Sequence, residues 1–367
     1  MRIAYCIHAI YNCGGTESVL VRKANYLAVE KGWEVCIITA HQHGRASAFP
    51  VDPSVRVINL DRNDSSPLWR SGYLPALDRC LNSIRPDIAV AVNGKAMYAF
   101  PHCTDGSRKV AEFHFPREKY ALKYGKNTLG LKYAEFRTKQ VARAAAKMDS
   151  FVVLTEKDRQ AWAPDVPGVA QIYNPIIDTG DARAALDNKV MAAVGRLSFE
   201  KNYPDMLEVW SKVCEKHPDW TLKIYGDGPE KASLEAMVAQ RFKNGNVRLM
   251  GRTDDVPAVL MESSGLLLTS KYEGLSLILA EASSLGVPPV SYDCPKGPAE
   301  IIEDGRNGFL VKPGDVEDMA RKVCLLIEDK ELRAEMGAQA RLNSQRFSMS
   351  AIMNQWEELF NRLVHKA

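Results

Sequence analysis

The sequence predicts an α/β chain built from two doubly wound domains in series. Three observations carry that expectation. At 367 residues the chain is too long for one ordinary core and suits two of about 150–200 residues each. Apolar runs of strand length alternate with helical patterns from end to end. Those runs are continuously apolar, as strands covered on both faces must be, and helices between them require a parallel sheet.

In the first half the candidate strands are Ile3–His8, Glu34–Thr39, Val55–Leu60, Ile88–Val92, Val110–His114 and Phe151–Thr155. In the second they are Val190–Val194, Leu222–Tyr225, Val247–Met250, Leu266–Thr269 and Val290–Tyr292. Between the two sets, Tyr173-Asn174-Pro175 to Lys189 is rich in Asp, Ala and Pro and has no sustained period. The boundaries that follow are 1–176, 177–347 and a terminal helix at 348–367. That helix carries Ile352, Met353, Trp356, Leu359, Phe360 and Leu363 on one face, an apolar stripe that must dock. Its expected destination is the first domain.

Composition excludes several classes. The apolar fraction of 46% and charged fraction of 25% are those of a soluble globular protein. Net charge is only +3, so any basic surface must be local. Met1-Arg2-Ile3-Ala4-Tyr5-Cys6-Ile7 runs straight into a strand, which does not read as a signal peptide. No run approaches the roughly 20 apolar residues that span a bilayer. The eight cysteines are scattered singly without C-x-x-C or zinc spacing, which fits a reducing cytoplasm and no structural metal. Cys13 adjoins a glycine loop and is the thiol expected to be exposed.

Three loops hold the candidate chemistry. The first strand runs into Asn12-Cys13-Gly14-Gly15-Thr16-Glu17 and then a helix through Val19, Leu20, Ala24, Leu27 and Ala28. Thr16 suits the N-cap, and Gly14-Gly15 let backbone N–H groups approach a ligand at a positive helix end; glycines serve a plain βα turn equally well. The spacing is not G-x-G-x-x-G, which disfavours a dinucleotide. In the second half, Val194 leads into Gly195-Arg196-Leu197-Ser198-Phe199-Glu200-Lys201-Asn202. This places two cations at the carboxyl edge of a sheet, where open α/β folds bind ligands. Such a pair can hold a diphosphate by charge-assisted hydrogen bonds, although an isolated Arg and Lys more often form a solvated surface pair.

The third loop is Lys271-Tyr272-Glu273-Gly274-Leu275-Ser276-Leu277, followed by Ile278-Leu279-Ala280-Glu281-Ala282. A helix starting there aims free N–H groups at an anion, while two carboxylates accept hydrogen bonds from sugar and ribose hydroxyls. Glu281 in an apolar helix is costly to bury without a partner. A plain surface carboxylate fits Glu273 better than Glu281.

At this point the whole chain, and most strongly Val190 to Val311, resembles the retaining glycosyltransferases of family 4, which have the GT-B fold. The resemblance rests on Gly14-Gly15-Thr16-Glu17, on Gly195-Arg196 with Lys201-Asn202, and on Tyr225-Gly226-Asp227-Gly228-Pro229. It also includes Gly251-Arg252, the E-x7-E pair Glu273 and Glu281, and Glu300 to Gly305 with Asn307-Gly308-Phe309-Leu310-Val311. It implies an active site in a cleft between two Rossmann-like domains. Arg196 and Lys201 would bind the donor diphosphate, Glu281 the ribose hydroxyls and Glu273 the donor sugar. Amides around Gly274, Leu275, Ser276 and Leu277 would add phosphate contacts, and Gly15 would close the site from the first domain. His114, in Glu112-Phe113-His114-Phe115-Pro116, matches a family histidine near sugar and acceptor. Taken alone it reads as a satisfied buried histidine.

The implied activity is hexosyl or N-acetylhexosaminyl transfer from a nucleotide sugar to a glycan or lipid-linked acceptor in bacterial polysaccharide or glycolipid synthesis, with no cofactor. No D-x-D occurs, consistent with metal independence. One departure is Asp293-Cys294-Pro295-Lys296-Gly297-Pro298-Ala299-Glu300, where many relatives carry Gly-Gly before the acidic residue. The pattern looks like that of surface-polysaccharide enzymes and favours UDP over GDP. An epimerase or phosphorylase on the same fold, or a non-catalytic nucleotide-sugar sensor, remain the alternatives.

Between Arg117 and Lys147 nine Lys/Arg stand against two Glu, a local balance of +7, with Tyr120, Leu122, Tyr124, Leu129, Leu131, Tyr133 and Phe136 interleaved. That composition suits the inner face of an anionic plasma membrane or a lipid-diphosphate acceptor, and equally a solvated helix face. No nucleic-acid motif accompanies it.

Overall fold

The computed structural model describes residues 1–125 and 127–365. Lys126, one of the nine cations counted above, lies outside the described residues. The chain divides into two compact units. One is Met1–Pro175 together with the C-terminal segment from Met349, and the other is Ile176–Ser348.

The first unit is built on a sheet of seven parallel strands: β1 (Arg2–Ile7), β2 (Glu34–Thr39), β3 (Arg56–Asn59), β4 (Ile88–Val92), β5 (Arg108–Phe113), β6 (Ser150–Val153) and β7 (Val169–Gln171). Their order is β3-β2-β1-β4-β5-β6-β7. The second has six parallel strands: β8 (Val190–Val194), β9 (Thr221–Tyr225), β10 (Val247–Gly251), β11 (Gly265–Leu268), β12 (Pro289–Tyr292) and β13 (Phe309–Val311). Their order is β10-β9-β8-β11-β12-β13. Both sheets reverse winding direction beside their first strand, so β1/β4 and β8/β11 flank the switch points where doubly wound sheets bind ligands.

Burial on both faces explains the continuous apolar runs. Along β1, Ile3 and Tyr5 enter one core while Ala4 and Cys6 enter the other. The eleven expected strands are all present. The two that the sequence did not reveal, β7 and β13, are three-residue edge strands, too short to register as an apolar run. In the second unit, Leu207, Trp210 and Val213 of the helix Tyr203–Lys216 pack with Met319, Val323 and Leu326 of the helix Val316–Glu328.

The terminal helix spans Met349–Val364, and all six residues of its apolar stripe are buried. They share one core with Ile3, Tyr5 and Leu27 of the first unit. Each such side chain contributes roughly 1.5–3 kcal/mol by leaving water. Among the described residues no helix is long and apolar enough to cross a membrane.

Candidate active site

In the second unit, glycines let three loops at the carboxyl edge of the sheet lie against one another. Gly195 N–H donates to Tyr225 O, Leu197 N–H to Asp227 O, and Gly226 N–H to Gly251 O, at 2.9, 3.0 and 2.8 Å. A Cβ on Gly226 would fall 1.9 Å from Gly195 O, and one on Gly228 2.3 Å from Leu197 O. No side chain fits either place. The Tyr225–Pro229 and Gly251 signatures therefore hold the Gly195–Asn202 loop in place.

That loop ends in a short 3-10 turn, Phe199–Lys201, and then Asn202 at φ +54°. Asn is one of the few residues with a side chain that readily takes this left-handed geometry. The turn points Lys201 back toward β11. There Lys201 Nζ meets Glu273 Oε1 at 2.7 Å, and Ser270 Oγ donates to the same oxygen at 2.6 Å. Thr269 Oγ1 fastens the backbone beneath by donating to Asn202 O at 3.0 Å. Glu273 is thus not the surface carboxylate that its loop position first implied: its side chain is only 11% exposed and salt-bridged. Arg196, by contrast, is exposed; its carbonyl accepts from Ser198 Oγ at 3.3 Å, but among the described residues no hydrogen bond or ion pair holds its guanidinium.

The helix Leu277–Ser284 begins at Ser276, whose hydroxyl is buried and makes no hydrogen bond. Leu279 N–H already donates to Ser276 O at 3.1 Å, while among the described residues the amides of Leu277 and Ile278, at the very start of the turn, have no intrahelical acceptor. Glu281 lies half-buried on this helix, five residues beyond Ser276. The divergent loop after β12 packs directly on Glu273: a Cβ on Gly297 would stand 2.8 Å from Glu273 Cβ and 2.9 Å from Gly274 O. Cys294 is buried here, and burial with the Glu273 charge raises its thiol well above the ordinary range. Within this unit the structure brings Lys201, Glu273, Gly274 and the Ser276 helix start together, with Arg196 on the same loop as Lys201.

In the first unit the helix after β1 spans Gly15–Val29, and its N-cap is Gly14 rather than Thr16. The helix opens two residues before Thr16 because Ser18 N–H already donates to Gly14 O at 3.1 Å, and no side chain caps it. Gly15 is exposed at the first helical position. His114 follows β5, is 8% exposed, and donates its backbone N–H to Asn93 Oδ1 at 3.0 Å.

Two family models together cover residues 13–343. The one described as Glycosyltransferase Family 4 matches residues 13–179, and Glycosyl transferases group 1 matches 179–343. The chain is a family 4 glycosyltransferase with the GT-B fold. An uncharacterized glycosyltransferase of Haemophilus influenzae is 29% identical over 362 residues, 97% of this chain and 99% of that protein. The poly(ribitol-phosphate) alpha-N-acetylglucosaminyltransferase of Staphylococcus aureus is 30% identical over 61% of this chain, which spans less than half, 46%, of that longer protein. A Staphylococcus aureus TarM structure in complex with Fondaparinux, alpha-GlcNAc-glycerol and UDP superposes with a TM-score of 0.82 at 18% identity, covering 98% of this chain and 100% of that one.

Some polar groups of the glycosyltransferase escaped the sequence reading. His8, directly after β1, pairs with Asp64 at 2.6 Å, and that hydrogen bond raises the imidazole above its ordinary value. Lys23 and Glu112 form a buried ion pair. The signal for the pair was present: Lys23 sits four residues from both Val19 and Leu27, on the apolar face, and Glu112 interrupts an apolar strand. Two triplets, His217/Cys324/Glu328 and Asp78/Cys103/Asp105, gather potential metal ligands that linear spacing did not reveal. Neither includes a residue of the loops described above.

Proposed function

We propose that the second unit binds a nucleotide sugar, with UDP favoured over GDP, and that the enzyme transfers its hexose or N-acetylhexosamine with retention to a glycan or lipid-linked acceptor in bacterial polysaccharide synthesis. The observation that carries this reading is the Lys201–Glu273 pair at 2.7 Å, set beside the open helix start at Ser276. A cation, a carboxylate and a helix N-terminus lie on neighbouring loops, and these are the three kinds of group that a sugar diphosphate calls for.

In this reading Arg196, Lys201 and the amides of Gly274, Leu275, Ser276 and Leu277 hold the diphosphate. Glu281 takes the ribose hydroxyls and Glu273 the sugar. Gly15 and His114 are the groups that the first unit offers to the substrate. As the anomeric C–O bond breaks, its electron pair goes to the phosphate oxygen, where fixed positive groups stabilise it without calling on a metal. The acceptor oxygen bonds to the anomeric carbon from the same face and passes its proton to the departing phosphate. The named activity of the Staphylococcus relative and the UDP bound to TarM support the donor class. Thermal-shift screening against a nucleotide-sugar panel tests it, because a ligand of the folded state raises the melting point. A larger shift with GDP-sugars than with UDP-sugars would reverse the base preference.

The basic segment supports a peripheral membrane role at the cytoplasmic face. On the helix Thr128–Ala145, Leu129, Lys132, Phe136 and Arg143 recur at helical spacing along one exposed stripe. Leu129 is 78% and Phe136 53% exposed. The formal +7 overstates the available charge, because Arg117 pairs with Asp165, Lys139 with Glu135, and Lys119 lies over the Phe115 ring. Insertion of apolar side chains flanked by cations is how such helices lie on anionic lipid. Sedimentation with phosphatidylglycerol vesicles but not phosphatidylcholine vesicles is expected; equal partitioning would end this part of the reading.

A further inference from the structure

Three charged or titratable side chains are buried together inside the first unit, where an apolar core would be expected. Lys23 is 0%, Glu112 2% and His114 8% exposed. Lys23 comes from the helix that Gly15 opens, Glu112 from β5, and His114 from the residue just beyond that strand. The ammonium donates to both Glu112 oxygens, at 2.6 and 2.7 Å. It also lies 4.0 Å from the Trp356 ring of the terminal helix and 5.7 Å from the Tyr5 ring. Glu112 Oε1 in turn lies 2.9 Å from His114 Nε2.

A dry ion pair costs several kcal/mol per ion in lost hydration and is often no more stabilising than apolar side chains of the same volume (order of magnitude). The core alone therefore does not account for it. The third member does. His114 Nε2 is buried and makes no well-aligned hydrogen bond; the polar atom at its side is the Glu112 carboxylate, approached obliquely. An ionised carboxylate only accepts. A lone pair on Nε2 would face that negative oxygen, whereas a proton there is attracted by it. Lys23 in turn keeps Glu112 ionised: burial alone would push this carboxyl up, yet the Lys23 ammonium, with the His114 ring beside it, holds it down at about 2.

We propose that Glu112, kept ionised by Lys23, is the positioning residue that fixes the proton of His114 on Nε2 and so leaves Nδ1 as a hydrogen-bond acceptor for a substrate hydroxyl. In a neutral imidazole one nitrogen donates and the other accepts, so fixing one assigns the other. Among the described residues nothing donates to Nδ1, which leaves it available for that task. The arrangement also ties His114 to two helices at once, through Lys23 on the first and Trp356 on the terminal one. The proposal rests on the transferase reading of His114 given above.

The test uses the full chain with 15N-labelled histidine, and the His114 ring signals are assigned by their loss in His114→Asn. The wild type should show its ring proton on Nε2. In K23M/E112L, an apolar replacement of the pair, the proton should distribute onto Nδ1, and turnover should fall by about ten- to a hundredfold, the scale of outer partners of functional histidines. K23M/E112Q keeps an acceptor carbonyl beside Nε2 and should restore the wild-type tautomer and most of the turnover. Turnover is read as UDP release from UDP-glucose or UDP-N-acetylglucosamine, and the thermal shift with UDP, which reports on the other unit, should be unchanged in both variants. A wild-type ring protonated on Nδ1, or K23M/E112L with unaltered tautomer and turnover, overturns the proposal. A wild-type enzyme that shows the Nε2 proton but releases no UDP from either donor would count against the transferase reading and leave the tautomer assignment standing.

Discussion

Lys201 Nζ and Glu273 Oε1, 72 residues apart, meet at 2.7 Å between the loops that follow β8 and β11. Each strand contributes one member, so the sheet itself fixes the separation. The pair is preorganised: neither group needs to be recruited when a phosphate and a sugar arrive. Lys201→Ala should therefore lose affinity for UDP, whereas Glu273→Gln should keep UDP affinity and lose turnover. Calorimetric titration with UDP, combined with initial rates, separates the two. Equal loss of UDP binding in both variants would show that the pair acts as one structural unit.

Arg196 presents the opposite case. Its side chain is exposed and held by no neighbour among the described residues, so its removal should leave the melting temperature nearly unchanged, within about 0.5 kcal/mol of stability. Turnover should nevertheless drop by about 10²–10³ if the guanidinium meets the charge that develops on the leaving group. A loss below about threefold in Arg196→Ala would remove the residue from the mechanism, since donors in this role matter far more.

Gly297 offers a test of the divergent loop. A methyl group there would press to within 2.8 Å of Glu273 Cβ and 2.9 Å of the Gly274 carbonyl. Gly297→Ala should cost about 1–3 kcal/mol, as overpacking does, and should lower turnover more than UDP affinity because Glu273 is what moves. Chemical denaturation with parallel kinetics checks both halves. Unchanged kinetics would mean that the loop gives way without disturbing Glu273.

The buried pair makes a prediction about acid stability. The folded Glu112 carboxyl lies at about 2, below its ordinary 4.5. Its stabilising contribution is accordingly complete above pH 4.5 and is lost as pH falls from there toward about 2. His8 runs in the opposite sense. Its raised value means that the Asp64 contact stabilises most fully below 6.5 and fades as pH climbs past the folded value. Melting temperatures measured across pH should fall less steeply on the acid side in K23M/E112L than in the wild type. Parallel acid limbs in the two proteins would contradict the assignment.

How far the sequence reached differs from residue to residue, for physical reasons. Strands such as Ile88–Val92 and Val190–Val194 were visible because a central parallel strand is apolar at every position. β7 and β13 were not, since three residues at a sheet edge carry no period. Arg196, Lys201 and Glu273 could be nominated from loop chemistry, but the Lys201–Glu273 contact depends on two strands being neighbours, which is a property of topology. Thr16 reads as a cap from its side-chain preference, yet the helix opens two residues earlier at Gly14, in extended backbone (φ −86°, ψ 161°) and with no side-chain cap. Where the first helical hydrogen bond closes is not visible in residue preference. Lys23 went unnoticed because a lysine inside a helix ordinarily reaches water; here its face is sealed by Trp356, which enters the same core from the far end of the sequence.

The central claim is that cations and amides of the second unit hold a nucleotide diphosphate. A crystal structure of the enzyme with UDP tests it most directly. The account predicts phosphate oxygens within about 3 Å of the Arg196 guanidinium, the Lys201 ammonium and the amides at the start of the Leu277–Ser284 helix. A diphosphate bound elsewhere in the unit, out of reach of both Arg196 and Lys201, would contradict it.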